Sequence, residues 1–171
     1  MSRRRARGAT SLALAALVVA ALAQPSLAAD DPAAPRYADG ATTFQANCVV
    51  CHGRNGVGQP SLAPPLTDYP ARYIATAEGR KQLAMTVLYG MFGDITVQQK
   101  HYNFRMPQFA QLSDDALAAV LNYVAFDLAH ASADTAALSA ADIAAVRSQP
   151  VGADAVRAHR SALLTDLGLA N

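Results

Sequence analysis

The sequence has no tryptophan, and aromatic residues make up only 6% of it. A chain of 171 residues with so few large side chains has little of its own to fill a core, which leaves room for a bulky apolar group. Charged residues reach 16%, well under the roughly 25% of an average soluble protein, and alanine is abundant. This combination excludes a disordered chain and favours small helical packing surfaces over a β-rich fold. Only two cysteines are present. With no second cysteine pair and no closely spaced histidine pair, an ordinary four-ligand zinc site is excluded. The most apolar run, residues 12–23, falls short of the roughly 20 residues that cross a bilayer, and Pro25 closes it.

That run belongs to a processing signal. Arg3, Arg4, Arg5 and Arg7 form a basic start, and Ala21-Leu22-Ala23 and Ser26-Leu27-Ala28 are small-x-small cleavage candidates. Residues 1–28 therefore read as a leader that directs export to the periplasm and leaves no stable membrane span once removed. Residues 29–36 read as a Pro/Ala tether. Cleavage after Ala28 leaves ten basic against 13 acidic residues, a net −3. A mildly acidic mature chain argues against a nucleic-acid partner, which wants basic patches. It permits a protein partner with a basic docking surface.

Along the mature chain a helix is expected over residues 39–50, with Phe44 one turn before Cys48. Residues 53–66, dense in Gly and Pro, must be loop. A second helix is expected over residues 76–89, stopped by Gly90. Residues 95–104 alternate apolar and polar and read as a small hairpin-like excursion. The clearest helix is 113–130: Ser113 is a good N-cap, Asp114 and Asp115 complement the positive end of the dipole, and Leu117, Val120, Leu121, Val124 and Leu128 form its apolar face. Two further helices follow, over 139–147 with a capping box at Ser139 and Asp142, and over 153–167. The fold class is all-α.

The chemistry lies in Cys48-Val49-Val50-Cys51-His52. On a helix, residues three and four apart share a face, so both thiols and the imidazole project together. Two thiols can add to the two vinyl groups of a haem as thioethers while the neighbouring imidazole ligates iron. A redox disulfide would normally open a helix after a strand, and nothing before Cys48 reads as one. A structural bridge across so short a loop is geometrically poor. The motif therefore points to one covalently bound haem c.

His52 supplies one axial ligand, and a sixth must come from downstream. Met85 lies within a helix, where core packing accounts for it. Met106 sits in a loop, and Pro107 stiffens the backbone directly after it, so its thioether can be presented at low entropic cost. Met106 is the preferred ligand, Met91 at a helix end is its competitor, and His101 is a bis-histidine alternative.

With these residues in view, the chain resembles a class I cytochrome c over residues 37–130. Gly40 and Phe44 stand eight and four residues before Cys48 as in that family, where the glycine lets the first helix touch the last. Val120 and Tyr123 match positions on that last helix. Pro64-Pro65-Leu66 matches the family's Pro-x-Leu, which implies that the Pro64 carbonyl accepts the proton on the far nitrogen of His52. Met106, in Met-Pro-x-Phe, falls where the family places its sulfur ligand. The excursion over 93–103 is similar to that of electron-accepting cytochrome subunits of periplasmic dehydrogenases. The segment 131–171, a helical C-terminal extension, exceeds what the core fold requires.

The resemblance implies a one-electron carrier and not an enzyme, either a free shuttle or a dehydrogenase subunit. Its partners would be a dehydrogenase donor and an oxidase or another cytochrome as acceptor. Arg72, Tyr73, Tyr102 and Asn103 are candidates to bond the haem propionates. A haem peroxidase or gas-binding sensor with a labile sixth ligand is the alternative. No distal acid/base pair is visible for peroxide chemistry.

Overall fold

The computed structural model describes residues 34–169; the leader and most of the tether lie outside them. The order of elements is α1 (Ala38–Asn47), α2 (Val49–His52), α3 (Tyr69–Ile74), α4 (Ala77–Tyr89), a hairpin of β1 (Ile95–Val97) and β2 (Lys100–Tyr102), α5 (Asp114–Asn122), a π-helical turn (Tyr123–Leu128), α6 (Ala140–Arg147) and α7 (Ala153–Asp166).

Most boundaries follow local chemistry. Thr76 caps α4 by accepting from the Gly79 amide, and Gly90 ends it at φ 70°. Ser113 caps α5 through the Ala116 amide. Ser139 and Asp142 form a complete capping box on α6, which satisfies amides that a helix start leaves without intrahelical partners. The hairpin pairs Ile95 with Tyr102 and Val97 with Lys100, and Gln98 and Gln99 turn it at positive φ.

Three features depart from the sequence reading. The expected first helix breaks at Cys48 into α1 and a single turn, α2. A short helix, α3, occupies residues to which the sequence assigns no element; Pro70 sits in its first turn, where a missing amide costs nothing. The expected helix 113–130 is α-helical only to Asn122, then widens into a π turn. A π turn alters the angular spacing of successive side chains. Tyr123 and Val124 pack with Phe44, whereas Ala125 and Phe126 join the larger core of Ile74, Leu88, Leu117 and Ile143.

The crossing of α1 and α5 needs Gly40, since a Cβ there would land on the Ala119 carbonyl and the Tyr123 side chain. Phe44, fully buried, lies 5.5 Å from the Tyr123 ring. The C-terminal helices belong to the same compact unit as this crossing. Asn122 bonds both backbone groups of Leu138, at 2.9 and 2.8 Å. Arg147 holds Asp114 at 2.8 Å and the carbonyls of Ala110 and Leu112. The Tyr89 hydroxyl donates to Val146, and α7 lies along α4. No helix among the described residues is long and apolar enough to cross a membrane.

Candidate functional site

A large, predominantly apolar cavity lies between α2, the loop after it, α3, α4, the hairpin, the Met106 loop and α5. Cys48, Cys51, His52, Pro64, Met91 and Met106 all line it. Six of the eleven aromatic residues, Phe44, Tyr69, Tyr73, Tyr102, Phe104 and Phe109, do so too. More than half of the scarce large side chains thus stand at this cavity, Phe44 and Tyr73 belonging to the hydrophobic cores as well.

His52 is 8% exposed. Its Nδ1 lies 2.9 Å from the Pro64 carbonyl oxygen. A carbonyl can only accept, so Nδ1 carries the proton and Nε2 is left with a free lone pair. Burial pushes the imidazole pKa below its ordinary value against the opposing effect of this hydrogen bond, which keeps the ring neutral. Cys48 and Cys51 are free thiols. Burial, helped by the neighbouring Cys51, raises the Cys48 thiol to about 11, the mark of a group in apolar surroundings.

The loop that carries Pro64 is folded tightly back on α2. The Gly58 amide donates to the His52 carbonyl and the Leu66 amide to that of Gly56, at 2.9 and 2.7 Å. Met106 and Met91 are joined by a backbone bridge. Of the other methionines in the described residues, Met85 is 5% exposed and does not line the cavity, in keeping with core packing.

Of the candidate propionate partners, Tyr73 and Tyr102 are buried in the cavity wall. Arg72 is exposed and paired with Asp68, and Asn103 is exposed; neither lines the cavity. His101 stands exposed on β2, near Thr96, and is also absent from the lining. Sequence reasoning missed Arg160, which is 7% exposed and reaches the cavity from α7. No local signal marks it, because α7 approaches only through tertiary packing.

Val50 and Phe104 line the cavity and are nevertheless 78% and 58% exposed, so the cavity opens to solvent beside them. With Val57 and Phe92 they account for nearly all the large apolar side chains exposed among the described residues.

A helical fold that holds a Cys-x-x-Cys-His turn against an apolar cavity defines a covalent haem protein of the class I type. The chain belongs to the cytochrome c family, whose family model matches residues 37–125. It is similar to cytochrome c-552 of Thermus thermophilus, with 46% identity over 88 residues, 52% of this chain and 66% of that protein. A second cytochrome c-552 of Thermus thermophilus matches with the same 46% identity, over 52% of this chain and 59% of its own length. The matched stretch thus spans less than two thirds of either relative.

Membership in this family makes covalently bound haem c the cofactor, and the residues present fit it. The cavity offers two thiols, a neutral imidazole and thioether sulfur in apolar surroundings. It also holds a buried hydroxyl, that of Tyr73, which has no hydrogen-bond partner. An acidic edge of a cofactor would satisfy that hydroxyl.

Proposed function

We propose that the protein is a periplasmic one-electron carrier in which Cys48 and Cys51 hold haem c as thioethers and His52 and Met106 are its axial ligands. Haem c supplies a ferric/ferrous couple. The observation that supports the reading is the His52–Pro64 hydrogen bond, which favours one tautomer and leaves Nε2 with a free lone pair on a residue that lines the same cavity as Met106. Pro64 acts through its carbonyl, orienting the ring and raising its basicity. The apolar lining keeps water from the iron and disfavours the added charge of the ferric state, and thioether ligation works in the same direction. Val50 and Phe104 form the rim at which a partner would meet the haem edge.

The donor would be a dehydrogenase, the acceptor an oxidase or another cytochrome. Between shuttle and tightly bound subunit, the surface of the C-terminal extension supports the shuttle. A firmly bound face would present an apolar patch, and over residues 131–169 Val151 is the one exposed large apolar side chain.

The test is an optical spectrum of the protein produced with a haem-attachment system, recorded oxidised and reduced, followed by carbon monoxide. Expected are a c-type reduced spectrum, a weak far-red sulfur-to-ferric band, and no binding of carbon monoxide to the ferrous form. Attached haem that lacks the far-red band and takes up carbon monoxide readily would replace the carrier with a sensor or peroxidase.

A further inference from the structure

Glu78, Gln82 and Thr86 stand four residues apart along one face of α4, in a row that runs from solvent to the cavity. The Glu78 side chain is 63% exposed, Gln82 is 1% exposed, and Gln82 and Thr86 both line the cavity. His159 of α7 bridges the first two. Its Nδ1 lies 2.7 Å from Gln82 Oε1 and its Nε2 2.9 Å from Glu78 Oε2. Both neighbours are oxygens that only accept. An imidazole that donates to both carries a proton on each nitrogen, so this geometry is that of the charged ring.

The same chain of bonds orients Gln82. Its Nε2 donates to Thr86 Oγ1 at 2.9 Å, and the Thr86 hydroxyl donates in turn to the Gln82 main-chain carbonyl at 2.8 Å. A neutral His159 that keeps its Nε2–H on Glu78 presents a lone pair at Nδ1 in place of a donor. That lone pair would then face the amide oxygen of a buried residue, acceptor against acceptor, which is costly. Half a turn of the Gln82 amide removes the conflict. Its NH2 then donates to Nδ1, and its oxygen accepts from the Thr86 hydroxyl, while the main-chain carbonyl keeps its place in the helical ladder. Each group has a partner in both arrangements, and the amide dipole in the cavity wall is reversed between them.

We propose that His159 is a proton switch for this cavity: gain or loss of the Nδ1 proton turns the buried Gln82 amide and so alters the field that acts on the haem. The inference rests on the reading that the cavity holds the haem. His159 lies outside the stretch matched by the cytochrome c family model, residues 37–125, so the C-terminal extension brings the proton to a wall built by the core fold. On α4 the charged groups beside it are Glu78 and Lys81; the His159 hydrogen bond first, and the Lys81 charge second, hold the Glu78 carboxyl below its ordinary value. On α7 its neighbours are Arg157, which lies against Gly93, and Arg160, which reaches Thr96 of the hairpin and Tyr73 of α3. By linkage, His159 Nδ1 takes up a proton from solvent as the iron gains its electron from the redox donor, and that N–H is the one bond made.

The experiment pairs an NMR pH titration of the ferrous holoprotein with redox titrations across the same range, in wild type, Glu78→Gln, His159→Gln and Gln82→Leu. The His159 ring and the Gln82 side-chain amide should shift together, with one midpoint within roughly pH 5–8. Glu78→Gln removes the carboxylate that favours the charged ring and should move that midpoint down for both. A proton on His159 favours ferrous iron, so the wild-type potential should fall as pH rises through the midpoint. His159→Gln should remove that part of the slope. Gln82→Leu should leave His159 titrating yet lose more than half of it.

A Gln82 amide that stays fixed while His159 titrates overturns the switch, and so does a His159→Gln slope equal to that of wild type. If His159→Gln yields no holoprotein, Glu78→Gln decides: a Gln82 midpoint that does not follow that of His159 overturns the inference. A wild-type chain that takes up no haem is a separate result, which overturns the reading of the cavity itself.

Discussion

Met91 and Met106 are tied by two backbone hydrogen bonds, from the Met91 amide to the Met106 carbonyl at 3.2 Å and back from the Met106 amide at 2.9 Å. Both side chains line the cavity, so two sulfurs are available for one axial position. The bridge uses main-chain atoms only, and either side chain can change without breaking it. A Met-to-Leu exchange nearly conserves volume, with a packing cost under about 1.5 kcal/mol. Met106→Leu should abolish the far-red sulfur-to-ferric band and lower the reduction potential, while Met91→Leu should keep both. The reverse pattern would make Met91 the ligand.

The Pro64 carbonyl is held in place by a residue that lacks a side chain. A Cβ on Gly58, at φ +75°, would come within 2.7 Å of Ala63 O and the Pro64 carbonyl carbon. Gly58→Ala should therefore push that carbonyl away from His52 and cost about 1–3 kcal/mol of stability. With a weaker bond at Nδ1 the imidazole donates less to iron, ferric iron loses support, and the potential should rise. Pro64→Ala keeps the carbonyl and should leave the potential much closer to wild type. Redox titration beside chemical denaturation separates the two effects.

Asn122 is the clamp that starts the C-terminal extension. Its amide satisfies both the N–H and the C=O of Leu138 in a buried setting. Asn122→Leu keeps the side-chain size but strands two buried backbone groups, at about 1–3 kcal/mol each. The variant should denature earlier and be cut faster by protease between residues 129 and 139.

The features legible in the sequence are those that short-range hydrogen bonding writes. Ser113, Thr76, Gly90 and the Ser139–Asp142 box each specify a helix end through neighbours three or four residues away. Cys48, Cys51 and His52 likewise share one turn. The His52–Pro64 contact spans only twelve residues and follows from the family resemblance. By contrast α3 is six residues long, too short to show a periodicity of its own. The π turn arises where side chains of one helix serve two separate cores, a condition visible only after packing. Arg72 and Asn103 have the right chemistry for polar ligands, but chemistry alone does not say which way α3 and the segment after the hairpin face. Arg160 depends on α7 finding α4, segments whose His159–Gln82 contact joins residues 77 apart in the chain, and nothing local announces that pairing.

The capping box of α6 makes acid stability a direct probe of how the extension is held. The Asp142 carboxylate accepts from the Ser139 amide at 2.7 Å, the Ser139 hydroxyl at 2.8 Å and Arg80 at 3.2 Å. These contacts, the backbone one first, hold its pKa below the ordinary aspartate value despite some burial. A group with a lowered folded-state pKa stabilises fully above its unfolded pKa of about 4. That stabilisation is lost as pH falls through the folded value. Asp142→Asn removes the charge and weakens the reciprocal bonds, at about 1 kcal/mol, the usual scale for a lost cap. Urea midpoints of wild type and variant should therefore differ by a constant amount above about pH 5 and converge as pH falls through the lowered folded-state value. A difference that persists unchanged into acid would mean that side-chain shape, and not the ionised carboxylate, secures α6.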